Sequence, residues 1–180
     1  NNKKYKIDYT IQKHYKRYYN YVSSITDYIN KVAVSDDLTP IFVTLTLPSK
    51  FHPTKTLKKL KKYNNKFEYD FSNYALLGYK NLQGAFRFIH KNITKYNKKY
   101  DIKTPYFRIC EMHKDFTPHF HFVLFLPRKY FEEKIKILKD SINNLIGTDV
   151  IGKEYKIEIL ENPNRGAAYV LKYLEKTLKT

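Results

Sequence analysis

The chain has 180 residues, 42% of them hydrophobic, and 34 Lys and Arg against 17 Asp and Glu, for a formal net charge of +17. That length and apolar content suit one domain with a proper core and exclude a disordered chain, and no apolar run approaches the length of a membrane span. The charge points to a polyanionic partner, most simply nucleic acid; an AT-rich coding bias accounts for the excess of Lys over Arg but not for the shortage of acids. Cys110 is the one cysteine, so no intrachain disulfide can form, which fits a reducing cytoplasm. The first residues, Asn1-Asn2-Lys3-Lys4, have neither Met nor an apolar stretch behind them, so we expect a domain cut from a longer protein.

Residues 8–34 read as a helix, with Tyr15, Tyr18, Tyr19 and Tyr21 interleaved with Lys and Arg, and we take 1–38 as a helical N-terminal extension. Ile41–Leu47 is a strand by β-branched content and alternation, ended by Pro48. Residues 49–75 read as irregular and basic, with a short helix around Thr56–Tyr63. Leu82, Phe86, Ile89 and Ile93 recur at helical spacing and predict a long helix over 76–98. Tyr106–Glu111 and residues 119–126 read as strands about a turn. A helix at 130–146, a strand at 155–160 and a last helix at 166–178 follow. This pattern implies an α+β fold: a central antiparallel sheet of about five strands covered by helices.

Pro118-His119-Phe120-His121-Phe122 is the most informative segment. Strand side chains alternate, so His119 and His121 share one face. If 106–111 and 119–126 pair as a hairpin, Glu111 falls opposite 119 or 121, and the odd parity of all three puts them on that face unless a bulge intervenes. Two imidazoles and a carboxylate suit a divalent cation such as Mg²⁺, Mn²⁺ or Zn²⁺ with open positions. His113 in the turn is a reserve ligand. A pair of hydrogen-bonded histidines lining a pocket fits the same residues. Cys110, of opposite parity, reads as core.

In the last helix, at about 100° per residue, Ala167, Val170, Leu171, Leu174 and Leu178 form an apolar arc, with Tyr169, Lys172, Tyr173 and Lys176 on the opposite arc. An ammonium beside a phenol favours the phenolate and binds phosphate, so a metal next to these tyrosines points to covalent cleavage of a phosphodiester. A solvated Tyr/Lys face is the plainer explanation of the helix alone.

Three segments together resemble the His-hydrophobic-His (HUH) endonuclease superfamily, and more narrowly the phage replication gene A proteins. Phe42-Val43-Thr44-Leu45-Thr46-Leu47-Pro48-Ser49-Lys50-Phe51-His52-Pro53 is similar to the first motif. Glu111 to His121 is similar to the metal motif, and Tyr169-Val170-Leu171-Lys172-Tyr173-Leu174-Glu175-Lys176 to the paired-tyrosine motif. They occur in family order, tyrosines after histidines, whereas conjugative relaxases place the tyrosine first. Phe116 departs from the pattern, which usually has glycine in the turn.

The resemblance implies an antiparallel sheet of ferredoxin-like type presenting the metal, with the tyrosine helix across it. It implies Glu111, His119 and His121 as ligands of Mg²⁺ or Mn²⁺, Tyr169 and Tyr173 as nucleophiles, and Lys172 as the phosphate-side lysine. The expected activity is a sequence-specific DNA nickase and strand transferase that initiates rolling-circle replication through a 5′-phosphotyrosine. Its expected partner is single-stranded DNA at an origin, with Lys176, Lys50–Lys66 and the N-terminal Tyr/Lys segment as DNA contacts and a host helicase and polymerase as further partners. A paired-tyrosine transposase and a non-catalytic nucleic-acid-binding domain are the competing readings. A small-molecule metalloenzyme barrel fits poorly, since five glycines supply too few tight turns.

Overall fold

Every residue from Pro118 to Leu126 is buried, as expected of a strand covered on both faces. That strand organises the rest. The computed structural model describes residues 2–57, 60–95 and 97–179, with side chains for all of these except 2–9, 11, 57, 98, 99, 163, 164, 167, 174 and 176–179. In chain order the elements are α1 (Asn2–Ser35), β1 (Leu38–Leu45), a 3-10 turn (Ser49–Phe51), β2 (Thr54–Leu57), β3 (Leu60–Tyr63), α2 (Tyr74–Thr94) and α3 (Asn97–Tyr100). Then come β4 (Tyr106–Met112), β5 (Pro118–Pro127), a second 3-10 turn (Arg128–Tyr130), α4 (Phe131–Gly147), β6 (Lys156–Ile159) and α5 (Pro163–Lys179).

The main sheet has four strands in the order β4-β5-β1-β6, every neighbouring pair antiparallel. With α2 and α4 as crossovers, the path β1-α2-β4-β5-α4-β6 is the split βαβ arrangement of ferredoxin-like folds. The α+β expectation holds, with four strands in this sheet rather than about five.

The remaining two strands, β2 and β3, pair as a separate hairpin where a short helix was expected. The reason is a tertiary clamp. Asn64, 2% exposed, donates its side-chain amide to the carbonyls of Ser49 (2.8 Å) and His52 (2.7 Å), while its backbone N–H donates to Pro53 at 3.0 Å. These bonds bring the two ends of the hairpin together.

The sheet buries both faces. On one, Phe120, Phe122 and Leu124 of β5 and Ile41, Val43 and Leu45 of β1 pack with Leu82 and Ile89 of α2 and Leu138 and Ile142 of α4. Burying such side chains stabilises by about 1.5–3 kcal/mol each. On the other face Phe42, Val123 and Phe125 pack with Val170 of α5 and Ala33 of α1. Helix α5 lies close because Gly166 has no side chain: a Cβ there would sit 3.1 Å from Phe125 Cζ and 3.3 Å from Pro40 Cβ. No described helix is long and apolar enough to cross a membrane.

Candidate metal and nucleophile site

The β4–β5 pairing runs without a bulge and sets Glu111 directly opposite His119 and Ile109 opposite His121. Cross-strand partners share a face, so Glu111, His119 and His121 lie on the α5 side of the sheet. Cys110 takes the other side, against the α2/α4 core, and burial raises its thiol pKa. It is core, as its parity predicts.

The turn that makes this register is a three-residue connection. His113 N–H donates to Thr117 O and Phe116 N–H to His113 O, both at 2.9 Å. Phe116 carries φ +61°, the left-handed conformation such a turn requires at that position. Glycine adopts it without steric cost; Phe116 adopts it with its ring 68% exposed. Asp115 ties the turn down. It accepts from the Thr117 amide at 3.1 Å and pairs with His52 Nδ1 at 3.3 Å, and its carbonyl accepts from the Tyr74 hydroxyl. Burial pushes the Asp115 carboxyl pKa up, but the hydrogen bonds from Thr117 and His52 outweigh it and hold it below the usual value.

His121 is held at both ring nitrogens. Nε2 lies 2.8 Å from Glu111 Oε2, and Nδ1 lies 3.0 Å from the hydroxyl of Thr44, its cross-strand partner on β1. Two neighbours thus fix the ring plane, as outer partners fix a metal-binding imidazole. His119 is 6% exposed. It stacks on His113, centroids 3.4 Å apart, and meets His52 edge-on at 6.1 Å. Its Nε2 is buried without a hydrogen-bond partner among the described residues. Burial first, then the neighbouring imidazoles, push its pKa down to about 3, which favours the neutral ring.

Among the described residues no three His, Cys, Asp or Glu side chains are gathered to hold a metal ion. Glu111 and His121 form a pair, and His119 is directed to its own neighbours. The donor chemistry nonetheless fits a divalent cation: one carboxylate and two imidazoles on one face, one of them with an orphaned buried nitrogen.

The tyrosines sit where α5 crosses the sheet. Tyr173 stacks on His121, centroids 4.0 Å apart and planes 20° from parallel. Phe42 packs against both Tyr169 (4.7 Å) and Tyr173 (5.6 Å). The expectation that they face away from the apolar arc is therefore corrected. Both are half-buried on the sheet side beside buried Val170, because the sheet under α5 presents aromatic and polar groups that match a tyrosine edge. Lys172 is exposed, its Nζ 6.0 Å from the Tyr169 ring centroid. Lys176 lies on α5, and its side chain is outside the described residues.

The profile of the bacteriophage replication gene A protein (GPA) family matches residues 15–179. The chain belongs to the bacteriophage replication gene A protein family. It is 28% identical over 141 residues to the replication protein of Haemophilus phage HP1, covering 77% of this chain and 16% of that protein. It is 26% identical over 151 residues to the replication gene A protein of Escherichia phage P2, covering 83% of this chain and 20% of that one. A probable replication protein of Pseudoalteromonas phage PM2 is 28% identical over 142 residues, covering 77% and 20%. The chain thus spans a fifth or less of the length of these relatives. No solved structure matches it.

Four residues of this gene A family member were not assigned from sequence. Thr44 and His52 lie within the first motif, but only the fold brings Thr44 to His121 and His52 to Asp115. Asp115 sits in the turn. Glu158 is opposite Phe42 in the register and accepts the Tyr169 hydroxyl at 2.8 Å. That bond is the main cause of a raised Tyr169 pKa. Lys156, 2.5 Å from Glu158 Oε2, and then Tyr169 lower the Glu158 pKa. The available signal was alternation in Lys156-Ile157-Glu158-Ile159, which puts two polar side chains on one sheet face.

Proposed function

We propose that this chain is the nicking and strand-transfer domain of a rolling-circle replication initiator of the HUH type, acting on single-stranded DNA at an origin inside a host cell. The observation that carries the reading is the stack of Tyr173 on His121, whose Nε2 meets Glu111. A nucleophile candidate and two metal-ligand candidates are in contact on one sheet face.

Glu111, His119 and His121 would hold the Mg²⁺ or Mn²⁺ ion. Such an ion supplies Lewis-acid activation of a phosphoryl oxygen and fixes its position. Thr44 keeps the His121 ring oriented. The tyrosine oxygen attacks phosphorus in line, the P–O3′ bond breaks, the phenolic proton passes to solvent water, and the 3′ oxygen takes a proton from water and leaves as a hydroxyl. The products are a 5′-phosphotyrosine and a primer 3′-hydroxyl. The new ester keeps the bond energy, so rejoining needs no nucleotide cofactor. Tyr169, one helical turn away, is a second acceptor for the next strand, held protonated by Glu158 until then. Lys172, exposed on the same helix, is the cation for the phosphate.

Beside His119 an open cleft of about 930 Å³ runs past Lys50, Lys55, Lys66 and Lys153, with Glu68, Asp149 and Glu154 also in its lining, Lys50 paired with Asp149 at 2.6 Å, and Thr54 and Lys55 of β2 at its border. We assign it to the DNA backbone. Binding there should weaken steeply with salt. The replication proteins among the relatives favour initiation over transposition.

The test is a labelled single-stranded oligonucleotide library incubated with Mn²⁺, Mg²⁺ or EDTA. Denaturing gels detect a covalent adduct, and mass spectrometry maps it. A metal-dependent adduct on Tyr173 or Tyr169 is expected. Tight DNA binding with no adduct, origin candidates included, would overturn the reading in favour of a binding module.

A further inference from the structure

The opposite side of edge strand β4 carries a second cationic surface. Between α2 and β4 lies an open groove of about 500 Å³ lined by Phe86, Arg87, His90, Lys91, Tyr106 and Arg108, among others. No acidic side chain lines it, and none of Arg87, Lys91 and Arg108 has a carboxylate within ion-pair distance among the described residues.

Two features show that the groove is built. First, Arg108 is not a loose surface chain: its guanidinium lies 4.8 Å from the ring centroids of both Phe86 and Phe120, which fixes its position while leaving its charge uncompensated. Second, the floor is aromatic. Phe86 stacks on His90 at 5.8 Å, and Tyr106 meets His90 at 4.9 Å and Phe86 at 5.0 Å. Tyr106 remains 43% exposed. Arg87 and Lys91, one turn apart on α2, are both exposed. Like charges at that spacing repel, and an anion bound between them would relieve the repulsion.

We propose that this groove is a second contact for single-stranded DNA, in which Arg87, Lys91 and Arg108 take the phosphodiester backbone and Tyr106 offers a stacking face. Unpaired cations around aromatic rings are the chemistry of single-strand binding. The placement supports the same ligand. Arg108 precedes Glu111 by three positions on one edge strand, about 10 Å at strand rise, and alternation puts the two on opposite sides of the sheet. A strand passing over the β4 edge therefore runs from the Glu111 face into the groove. In this role the groove rests on the nicking assignment, and it would hold the strand a few nucleotides from the cleavage point.

The test compares the unaltered chain with Arg87→Ala/Lys91→Ala by fluorescence anisotropy, using oligothymidines of ~6 and ~20 nucleotides and a ~20-base-pair duplex, lengths that bracket common single-strand site sizes. For the longer single strand the double variant should lose affinity roughly tenfold at 0.1 M salt, and its salt slope should fall by about 1.4, near 0.7 per phosphate contact. The ~6-mer, which offers fewer phosphates to both surfaces at once, should lose less, and the Tm should hold. Unchanged affinity and slope would overturn the proposal. So would a loss confined to the duplex, which would assign the groove to double-stranded DNA. Failure of the nicking assignment reads separately, as absence of any metal-dependent adduct from the unaltered chain, whatever the groove variant does to binding.

Discussion

The ring of Tyr173 lies on the imidazole of His121, centroids 4.0 Å apart and planes 20° from parallel. Tyr169, one turn earlier on the same helix, instead gives its hydroxyl proton to Glu158 at 2.8 Å. Two tyrosines that look alike in sequence thus have different partners. One touches the candidate metal ligands, and the other is held by a carboxylate that favours its neutral form.

This asymmetry predicts the order of attack. In single-turnover cleavage the adduct should form mainly on Tyr173, and Tyr173→Phe, which keeps the ring stack, should lower the initial yield at least tenfold. Tyr169→Phe should leave the first cleavage within about twofold, and the double variant should form no adduct. Glu158→Gln weakens the hydrogen bond and removes the charge by which this residue raises the Tyr169 pKa, so the Tyr169 share of adduct, read by peptide mass spectrometry, should rise several-fold. A fall in that share would assign Glu158 as the base that activates Tyr169.

Cation binding can be read without DNA. A ligand at about 100 times its Kd stabilises the folded state by about 2.7 kcal/mol. Mn²⁺ should therefore raise the Tm, and His119→Ala should remove the shift. Thr44→Val deletes the hydroxyl that meets His121 Nδ1 at 3.0 Å while keeping the side-chain shape. It should weaken Mn²⁺ about tenfold by titration calorimetry, as outer-partner losses do. A Tm indifferent to Mn²⁺ and Mg²⁺ would count against Glu111, His119 and His121 as ligands.

Phe116 at φ +61° is the clearest strained position. A left-handed conformation costs a non-glycine residue about 1–2 kcal/mol, and its exposed ring recovers little of this by burial. Against the extra unfolded-state freedom of glycine, about 0.4–1 kcal/mol, Phe116→Gly should be stabilising by about 0.5–1 kcal/mol in urea unfolding. Destabilisation would show that the Phe116 ring contributes more than its exposure implies.

Asp115 carries a pH prediction. Its folded pKa lies below the ordinary value because the hydrogen bonds from Thr117 and His52 overcome burial. A depressed carboxyl stabilises the fold fully above its unfolded pKa of about 3.9, and that stabilisation is lost as pH falls through the folded value. Asp115→Asn keeps an acceptor for Thr117 but removes the charge. The variant should be less stable than the parent at pH 5–7, with the gap in urea midpoints closing below about pH 4. A gap that widens on acidification would refute the assignment.

The helices and main-sheet strands were legible because each follows a local period. Leu82, Phe86, Ile89 and Ile93 repeat with helical spacing, and His119 and His121 alternate with apolar neighbours. The β2–β3 hairpin was not, since Lys-rich residues 54–63 have neither period, and the Asn64 bonds that close it reach residues 12 and 15 positions away.

For the site, the sequence alone determined that His119 and His121 share a face, because side-chain parity along a strand is a local property, and it placed Glu111 there on the condition of an unbulged hairpin, which the structure supplies. It also determined that Tyr169 and Tyr173 are neighbours, one helical turn apart. Only the tertiary structure decided which tyrosine meets His121, that Thr44 and Glu111 grip that ring from two strands, that Glu158 takes the Tyr169 hydroxyl, and that Arg108 is pinned over two rings with its charge unpaired. Those contacts join residues 10 to 77 positions apart. They depend on how β1, β6 and α5 dock across the sheet, and no pattern within a single element encodes that docking.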